Sequence, residues 1–200
     1  MSSQTKPQNV KSEKKAMLYS VIPGLGQIYN GQLFKGIVFL AILVAFIVEM
    51  IVSGFDAFNG LVTLGSTPVE DHSLFIMIEG TLQLIITIIF LAFYALNIYD
   101  AKRVASIWNN GQKVNVTVKE VMWNVYNAGF PYLLIVPAYL MMAFTIIFPV
   151  LVTLFMAFTN YDFYHIPPAN LIDWVGLKNF VNIFFLSTYR DAFTSVFSWT

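Results

Sequence analysis

The 200-residue sequence has no cysteine, which excludes disulfides, thiolate nucleophiles and metal sites with cysteine ligands. Histidine is scarce too, because the chain has only His72 and His165, and neither has a second ligand at metal-binding spacing. No arrangement resembles a Ser/His/Asp or Cys/His site, and acidic residues that could pair as acid and base are separated by apolar segments. We therefore predict a chain that is not an enzyme and that carries no metal or other cofactor.

Charged residues are also few, at 11% of the chain, whereas 58% of the residues are hydrophobic and 16% are aromatic. A water-soluble globule of this length cannot hide so much apolar surface. The eleven basic and eleven acidic residues cancel, so that no basic field attracts nucleic acid. The composition therefore predicts an integral membrane protein.

Three apolar segments are long enough to cross a bilayer as helices, and they define an all-α fold. They are residues 36–52, 74–97 and 131–158, which at 1.5 Å per residue reach about 26, 36 and 42 Å. Residues 192–200 resemble the start of a fourth span. The polar residues before the first span lack a small-residue cleavage pattern, which predicts an uncleaved anchor and not a signal peptide.

The basic residues predict the orientation of the chain. Nine of the eleven lie before the first span or between the second and the third, and the remaining two, Lys178 and Arg190, follow the third span. Because basic residues collect on the inner side of a membrane, the N-terminus is predicted to be cytoplasmic. Loops 53–73 and 159–191 are then outside, and loop 98–130 is inside.

The inner loop is predicted to contain a short interfacial helix before the third span. Residues 117–120, Thr-Val-Lys-Glu, have the pattern of a capping box, and apolar residues follow at helical spacing until Gly129 and Pro131. Trp123 and Tyr126 are expected at the level of the lipid headgroups. The alternating valines at 114–118 also fit a strand, although a single strand beside a membrane lacks a partner.

Residues 22–32, Ile-Pro-Gly-Leu-Gly-Gln-Ile-Tyr-Asn-Gly-Gln, form a glycine-rich segment just before the first span. A phosphate-binding loop would follow a strand and close on Gly-Lys-Ser or Gly-Lys-Thr, and neither feature is present. The favoured interpretation is a turn or a re-entrant element, in which small residues let two backbone segments approach closely. Similar strings occur in small two-span membrane proteins, so the segment alone identifies no family.

Two carboxylates, Glu49 and Glu79, lie inside apolar segments. Intramembrane carboxylates often mark ion or proton pathways, which is one interpretation. The favoured one is structural, because both residues lie within about a turn and a half of the predicted outer surface, where they can reach water or, for Glu79, Gln83 one turn away.

From residue 130 onward the sequence resembles the opening of sugar permease subunits of bacterial ABC importers, most closely those of maltose and maltodextrin type. The resemblance is carried by FPYLLIVPAYLMMAFTIIFPVLVTLFMAFTNYDFY at 130–164, WVGLKNFVNIF at 174–184 and FSWT at 197–200. Ala157 stands where many relatives have serine. The hairpin at 36–97 also resembles the maltodextrin branch, which has additional N-terminal spans.

The resemblance implies a permease subunit that moves maltose or maltodextrins into the cell, with energy from a separate ATPase subunit. It implies as partners a second permease subunit, cytoplasmic ATPase subunits, an extracellular sugar-binding protein and membrane lipid, but no nucleic acid. The family's later spans and its ATPase-coupling loop have no counterpart in these residues. We therefore expect the N-terminal portion of a longer protein of the bacterial plasma membrane.

The resemblance also divides the chain into four segments. Residues 1–35 are a cytoplasmic tail with the glycine-rich turn, residues 36–98 a transmembrane hairpin, residues 99–130 a cytoplasmic loop, and residues 131–200 the truncated start of the permease core. The resemblance implies that the outer loop faces the sugar-binding protein, and Tyr161, Asp162, Trp174 and Asn179 are candidates for docking it or for shaping the loop. The favoured interpretation of Tyr161, Tyr164 and Trp174 is that these aromatic residues anchor helix ends at the membrane surface. An alternative function for the whole chain is a small, non-transporting membrane scaffold or regulator.

Overall fold

The computed structural model describes residues 11–112, 114 and 117–199. These residues form α-helices with two short π-helical turns, and within them the sole β-type pairing is an isolated bridge between Thr159 and Trp174. The helices are α1 (Glu13–Tyr19), α2 (Leu25–Tyr29), α3 (Leu33–Glu49), α4 (Phe55–Thr63), α5 (Ser73–Asn109), α6 (Val118–Met142), α7 (Phe148–Met156), α8 (Lys178–Phe185) and α9 (Ser187–Trp199).

Three helical segments are long and apolar enough to cross a membrane: Leu33–Thr63, Ser73–Asn109 and Gly129–Met156. They confirm the three predicted spans and the all-α class. α9 lies where the start of a fourth span was predicted.

The first membrane helix is longer than the sequence predicted. It does not end at residue 52, because the π-helical turn Met50–Gly54 carries the helix on into α4, and the connection to α5 shrinks to residues 64–72. The wider turn accommodates Ser53 and Gly54 without a break, and Leu64 ends the helix in the left-handed conformation with φ 55°. The predicted outer loop 53–73 is therefore wrong in its first half.

The predicted interfacial helix is the first part of α6. The backbone N–H of Thr117 donates to Glu120 Oε2 over 3.4 Å, which is one half of the predicted capping box. The helix does not end at Gly129 and Pro131 but runs through both of them into the third span, which corrects the prediction of a separate short helix. Proline removes one hydrogen bond from a membrane helix, and the surrounding backbone bonds maintain the helix.

The alternative strand at 114–118 extends over residues outside the described part of the chain, and Val118 is helical. A second π-helical turn, Ala143–Ile147, precedes Pro149 near the start of α7. Because proline has no N–H to donate to the preceding turn, the wider turn fits this position.

Contacts divide the chain into two compact units. The first contains Met1–Val52 and Ile86–Ala138, and the second contains Ser53–Ile85 and Tyr139–Thr200. In the first unit, α1 packs on α5 through Ala16, Ala101 and Ala105, and Tyr29 covers this cluster.

Stacked phenylalanines join α3 to α5 in the same unit. The rings of Phe46 and Phe90 are nearly parallel with centroids 3.8 Å apart, and those of Phe39 and Phe93 are 4.8 Å apart. Small residues thus set the close helix contacts, and aromatic rings fill the wider spaces.

The core of the second unit consists of Leu64, Met77 and Ile172, which are fully buried. Side chains from α4, α5 and α7 cover it, and the loop that follows α7 contributes Ile172. This loop is therefore packed into the unit and holds the predicted docking residues in a defined geometry.

Candidate functional site

The loop after α7 is closed at its base by main-chain pairing. Asn160 N–H donates to the carbonyl of Asp173 over 3.1 Å, and Val175 N–H donates to that of Phe158 over 2.8 Å. These bonds flank the Thr159 and Trp174 bridge. Residues 161–172 consequently form a closed loop with fixed ends.

Asp162 stabilises the tip of this loop. Its Oδ1 accepts hydrogen bonds from the backbone N–H groups of Tyr164 and His165, both over 2.8 Å, and lies 2.7 Å from His165 Nδ1. The His165 ring, followed by the two amides, holds the pKa of Asp162 below its usual value of 3.8. Asp162 therefore shapes the loop, and its carboxylate is already engaged.

A carboxyl group with a lowered pKa stabilises the fold above its unfolded pKa, and this contribution is lost as pH falls through the folded pKa. We therefore expect the loop tip to be ordered at neutral pH and to open only below the usual pKa of 3.8. Asp162→Ala should open it at neutral pH, because two amides and the His165 ring lose their acceptor. A nitroxide at Phe163, followed by electron paramagnetic resonance, measures the mobility of the tip.

Asp71→Ala is the matched control for this experiment. Asp71 caps a different loop through the amides of Ser66 and Thr67, which also lower its pKa. It should leave a label at position 163 unchanged. Equal mobility in both variants would show that the Asp162 contacts do not order the tip.

Trp174 and Asn179 also serve the architecture of the second unit. Trp174 Nε1 donates to the carbonyl of Leu61 over 3.0 Å, and its ring meets Phe155 edge-on. Asn179 Nδ2 donates to the carbonyls of Ala157 and Thr159 over 3.0 and 2.7 Å. The side chains thus tie α4, α7 and α8 to the loop.

Tyr161 and Asn179 line the same open cavity of about 330 Å³, together with Phe180 and Ile183 of α8. The structure thus brings together two of the four predicted docking residues and gives Asp162 and Trp174 internal partners. Among the large apolar residues of the loop, Phe163 and Tyr164 are the most exposed, at 93% and 82%. The aromatic string around Asp162 was the signal in the sequence for these two residues.

The two intramembrane carboxylates have different surroundings. Glu49 is half-buried at the end of α3 and lines an apolar groove of about 380 Å³ between α3 and α5, beside Phe46 and Phe90. Glu79 lies exposed on α5. The structural interpretation stays a prediction for both, with an ion pathway as its alternative. Among the described residues no group of His, Asp and Glu side chains could hold a metal ion.

The glycine-rich segment forms a close contact with the first membrane helix, as predicted. Gly24 has φ +96°, and a Cβ atom at this position would lie 2.2 Å from the carbonyl oxygen of Gly36. A Cβ on Gly36 would in turn lie 2.7 Å from the carbonyl oxygen of Gly24. Glycine is therefore needed at both positions for the backbones to touch.

Asn97 of α5 binds the same turn through both ends of its amide. Its Oδ1 accepts from the backbone N–H of Gly24 over 3.2 Å, and its Nδ2 donates to the carbonyl of Ser20 over 2.8 Å. Gln27 Nε2 donates to the carbonyl of Asn97 over 3.0 Å, and Asn30 Nδ2 donates to that of Ala101 over 2.8 Å. All of these amide side chains are buried.

An ion pair closes this arrangement. Lys35 Nζ lies 2.6 Å from Asp100 Oδ1, and Gln27 Nε2 donates to the other oxygen of Asp100 over 3.2 Å. We call residues Ser20 to Lys35 with Asn97 to Ala101 the N-terminal latch. Its amides and glycines bind protein backbone, and the glycines make room for a helix and not for a phosphate.

The sequence of this chain is similar to one described protein family and to several transport permeases. Residues 9–59 match a family of unknown function, DUF5683. The chain is 60% identical over 190 residues to the maltodextrin transport system permease protein MdxF of Bacillus subtilis strain 168, covering 95% of the chain and 44% of that protein. It is 52% identical over 186 residues to the maltodextrin transport system permease protein MalC of Streptococcus pneumoniae, covering 93% of the chain and 43% of that protein.

A third relative has another named substrate. The galactooligosaccharides transport system permease protein GanP of Bacillus subtilis strain 168 is 40% identical over 188 residues, which cover 92% of the chain and 44% of GanP. The chain thus spans less than half the length of these relatives. No solved structure matches it.

Proposed function

We propose that this chain, a relative of bacterial maltodextrin transport permeases, forms part of the membrane-spanning subunit of an ABC importer for maltose or maltodextrins. The observation that carries this proposal is the 60% identity to a maltodextrin permease over 95% of the chain. Identity to the galactooligosaccharide permease is lower, at 40%, which favours a maltodextrin as the substrate.

The proposed mechanism is alternating access driven by ATP at separate subunits. The proposed partners are a second permease subunit, cytoplasmic ATPase subunits and an extracellular sugar-binding protein. The proposed location of the permease is the plasma membrane. The chain itself contributes neither catalysis nor a cofactor. Its residues form membrane helices and a rigid outer loop, on which the exposed Phe163 and Tyr164 are better placed to meet a partner than Asp162 or Trp174.

Transport tests the proposal directly. The complete gene, expressed in a bacterium whose own maltodextrin permease has been deleted and whose partner subunits are kept, should restore uptake of radiolabelled maltotriose. If the gene restores uptake of a galactooligosaccharide but not of maltotriose, the substrate is a galactooligosaccharide. A protein that inserts into the membrane and assembles with the partner subunits without restoring either uptake would contradict the transport function.

The alternative function, a small scaffold or regulator, has less support. The match to the family of unknown function is confined to residues 9–59, whereas the similarity to permeases continues through α5 to α9. If the protein is a scaffold, deletion of its gene should leave sugar uptake unchanged. If it is a permease, the deletion should abolish uptake.

We further propose that the N-terminus is cytoplasmic, as the distribution of basic residues favours. Cysteines introduced at Ser66 and Asn170 should then react with a membrane-impermeant maleimide in intact cells, and one at Asn110 should react only after the membrane is opened. The chain has no cysteine of its own, so that within it the maleimide reacts only with the introduced cysteine of each variant. Reaction at Asn110 in intact cells would reverse the orientation.

A further inference from the structure

The turn between α1 and α2 packs against the ends of two apolar membrane segments. Gly24 touches Gly36 and Leu40 in the first turns of α3, and its N–H donates to Asn97, the last residue of the predicted apolar segment of α5. Lys35 and Asp100 form an ion pair next to these contacts. Lys35 is one residue before Gly36, and Asp100 is three residues after Asn97. Residues 20–24 therefore contact α3 and α5 on the apolar side of Lys35 and Asp100, the charged residues nearest to these contacts.

The backbone of this turn has the hydrogen bonding that hydrocarbon requires. The N–H groups of Ser20, Val21 and Ile22 donate to carbonyls one turn back, Gly24 N–H donates to Asn97, and Pro23 has no N–H. Non-helical backbone is tolerated at membrane depth when its polar groups are satisfied within the protein.

The carbonyl groups of Ser20, Val21 and Ile22 accept hydrogen bonds as well. Asn97 Nδ2 donates to that of Ser20, the hydroxyl of Tyr94 donates to that of Val21 over 3.0 Å, and Leu25 N–H donates to that of Ile22 over 3.1 Å. A turn in water would not need a tyrosine to satisfy its outermost carbonyl, because solvent would do so.

The outer side of the turn is apolar and has basic residues at one end. Leu18, Val21 and Ile22 are 69%, 57% and 49% exposed. Lys14 and Lys15 are exposed on α1 one turn earlier. Exposed apolar side chains with lysines one turn away are typical of a segment embedded in one leaflet of a membrane with anionic lipids.

We propose that residues 14–24 form a re-entrant wedge that binds phospholipid in the leaflet on the side of the N-terminus. Leu18, Val21 and Ile22 contact acyl chains, and Lys14 and Lys15 bind anionic headgroups. Two observations point to lipid as the occupant: the exposed apolar side chains belong to a turn that packs against two membrane helices, and the basic end of the wedge complements an anionic headgroup. The wedge does not depend on which solute the protein transports.

Spin labels test the position of the wedge. Cysteines at Leu18, Val21 and Ile22 of the complete protein, with any cysteine outside this chain replaced, are labelled with a nitroxide and reconstituted in lipid nanodiscs. The labels should be several-fold more accessible to oxygen than to a water-soluble nickel chelate, with a depth of about 5–10 Å below the headgroups. A label at Asn110, which is exposed in the loop after α5, is the control and should show the opposite ratio.

Each other outcome contradicts the wedge. Accessibility to nickel equal to that at Asn110 would place the turn in water. Exclusion of both reagents would show that protein and not lipid covers it. Neither result bears on sugar uptake, which is measured separately on the same variants.

The lysines are tested with nanodiscs of phosphatidylcholine alone and with added phosphatidylglycerol. We expect the spin label at Val21 to lie deeper in the membrane when the anionic lipid is present. The double variant Lys14→Gln with Lys15→Gln should abolish this change, because each lysine strengthens binding to an anionic surface roughly fivefold. Lys102→Gln with Arg103→Gln removes the same charge from exposed positions on α5 and should preserve most of the change. Equal loss in both double variants would contradict a specific headgroup site at the wedge.

Discussion

Gly24→Ala is expected to lower the free energy of unfolding by about 3–5 kcal/mol, an effect as large as that of a severe core substitution. The added methyl group would lie 2.2 Å from the carbonyl oxygen of Gly36 and 3.1 Å from the backbone nitrogen of Leu40. Backbone atoms in a helix cannot swing aside as a flexible side chain can. The turn would have to leave α3 and would then lose its hydrogen bonds to Asn97 as well.

Gly176→Ala separates the steric effect from backbone strain. Gly176 also has a positive φ, +60°, but a Cβ atom there would meet nothing within 4 Å. This variant should therefore cost only about 1–2 kcal/mol, the strain of a left-handed alanine. Titration of the complete protein with dodecyl sulfate in mixed micelles, followed by circular dichroism, compares the two. Equal losses of stability would show that the contact between Gly24 and Gly36 contributes little.

Asn97→Leu is expected to have the second large effect, a loss of about 3–5 kcal/mol in the same titration. Leucine has the same number and branching of side-chain heavy atoms as asparagine but leaves the N–H of Gly24 and the carbonyl of Ser20 without partners. Both groups are buried, and neither water nor lipid can replace the amide efficiently. Unpaired buried polar groups carry most of this cost.

Asn109→Leu is the matched comparison. Asn109 makes the same two kinds of bond, accepting from the N–H of Lys11 over 2.9 Å and donating to its carbonyl over 2.8 Å. These bonds are only partly buried, so that water can replace the lost partner, and we expect a loss of about 1 kcal/mol. A larger effect at Asn109 than at Asn97 would contradict the depth assigned to the latch.

The membrane helices could be predicted because length and hydrophobicity decide whether a segment spans a bilayer. Their ends were harder to predict. Ser53 with Gly54 and Gly129 with Pro131 are signals that end helices in water, yet both helices continue through them. In a membrane, stopping a helix would expose unpaired backbone groups to hydrocarbon, and this cost exceeds that of a local irregularity.

The latch could be predicted only in part. The glycines in residues 22–32 indicated a close backbone contact, but not its partner. Besides Gly36, which lies close in the sequence, the turn is bound by Asn97, more than seventy residues later, and pairing at that separation leaves no periodic pattern in a sequence. The polar residues Gln27, Asn30 and Asn97 at the edges of apolar segments were the available signal, since buried amides require partners.

The loop after α7 shows a related difficulty. The family resemblance made Asp162, Trp174 and Asn179 candidates for docking or for shaping the loop, and each of them has an internal acceptor or donor. Whether a residue in a loop points inward depends on how the loop closes. Closure here follows from main-chain pairing between residues 158–160 and 173–175, which sequence alone does not reveal.

The distance along the chain between Gly24 and Asn97 also has a consequence for biosynthesis. The two residues are 73 positions apart, so that a ribosome adding about 5–20 residues per second makes Asn97 roughly 4–15 s after Gly24. During that interval the turn has no amide to satisfy it, and entry into hydrocarbon would cost the full desolvation of its backbone. For the proposed wedge we therefore expect the newly made segment to wait at the aqueous surface and to enter the leaflet only together with α5.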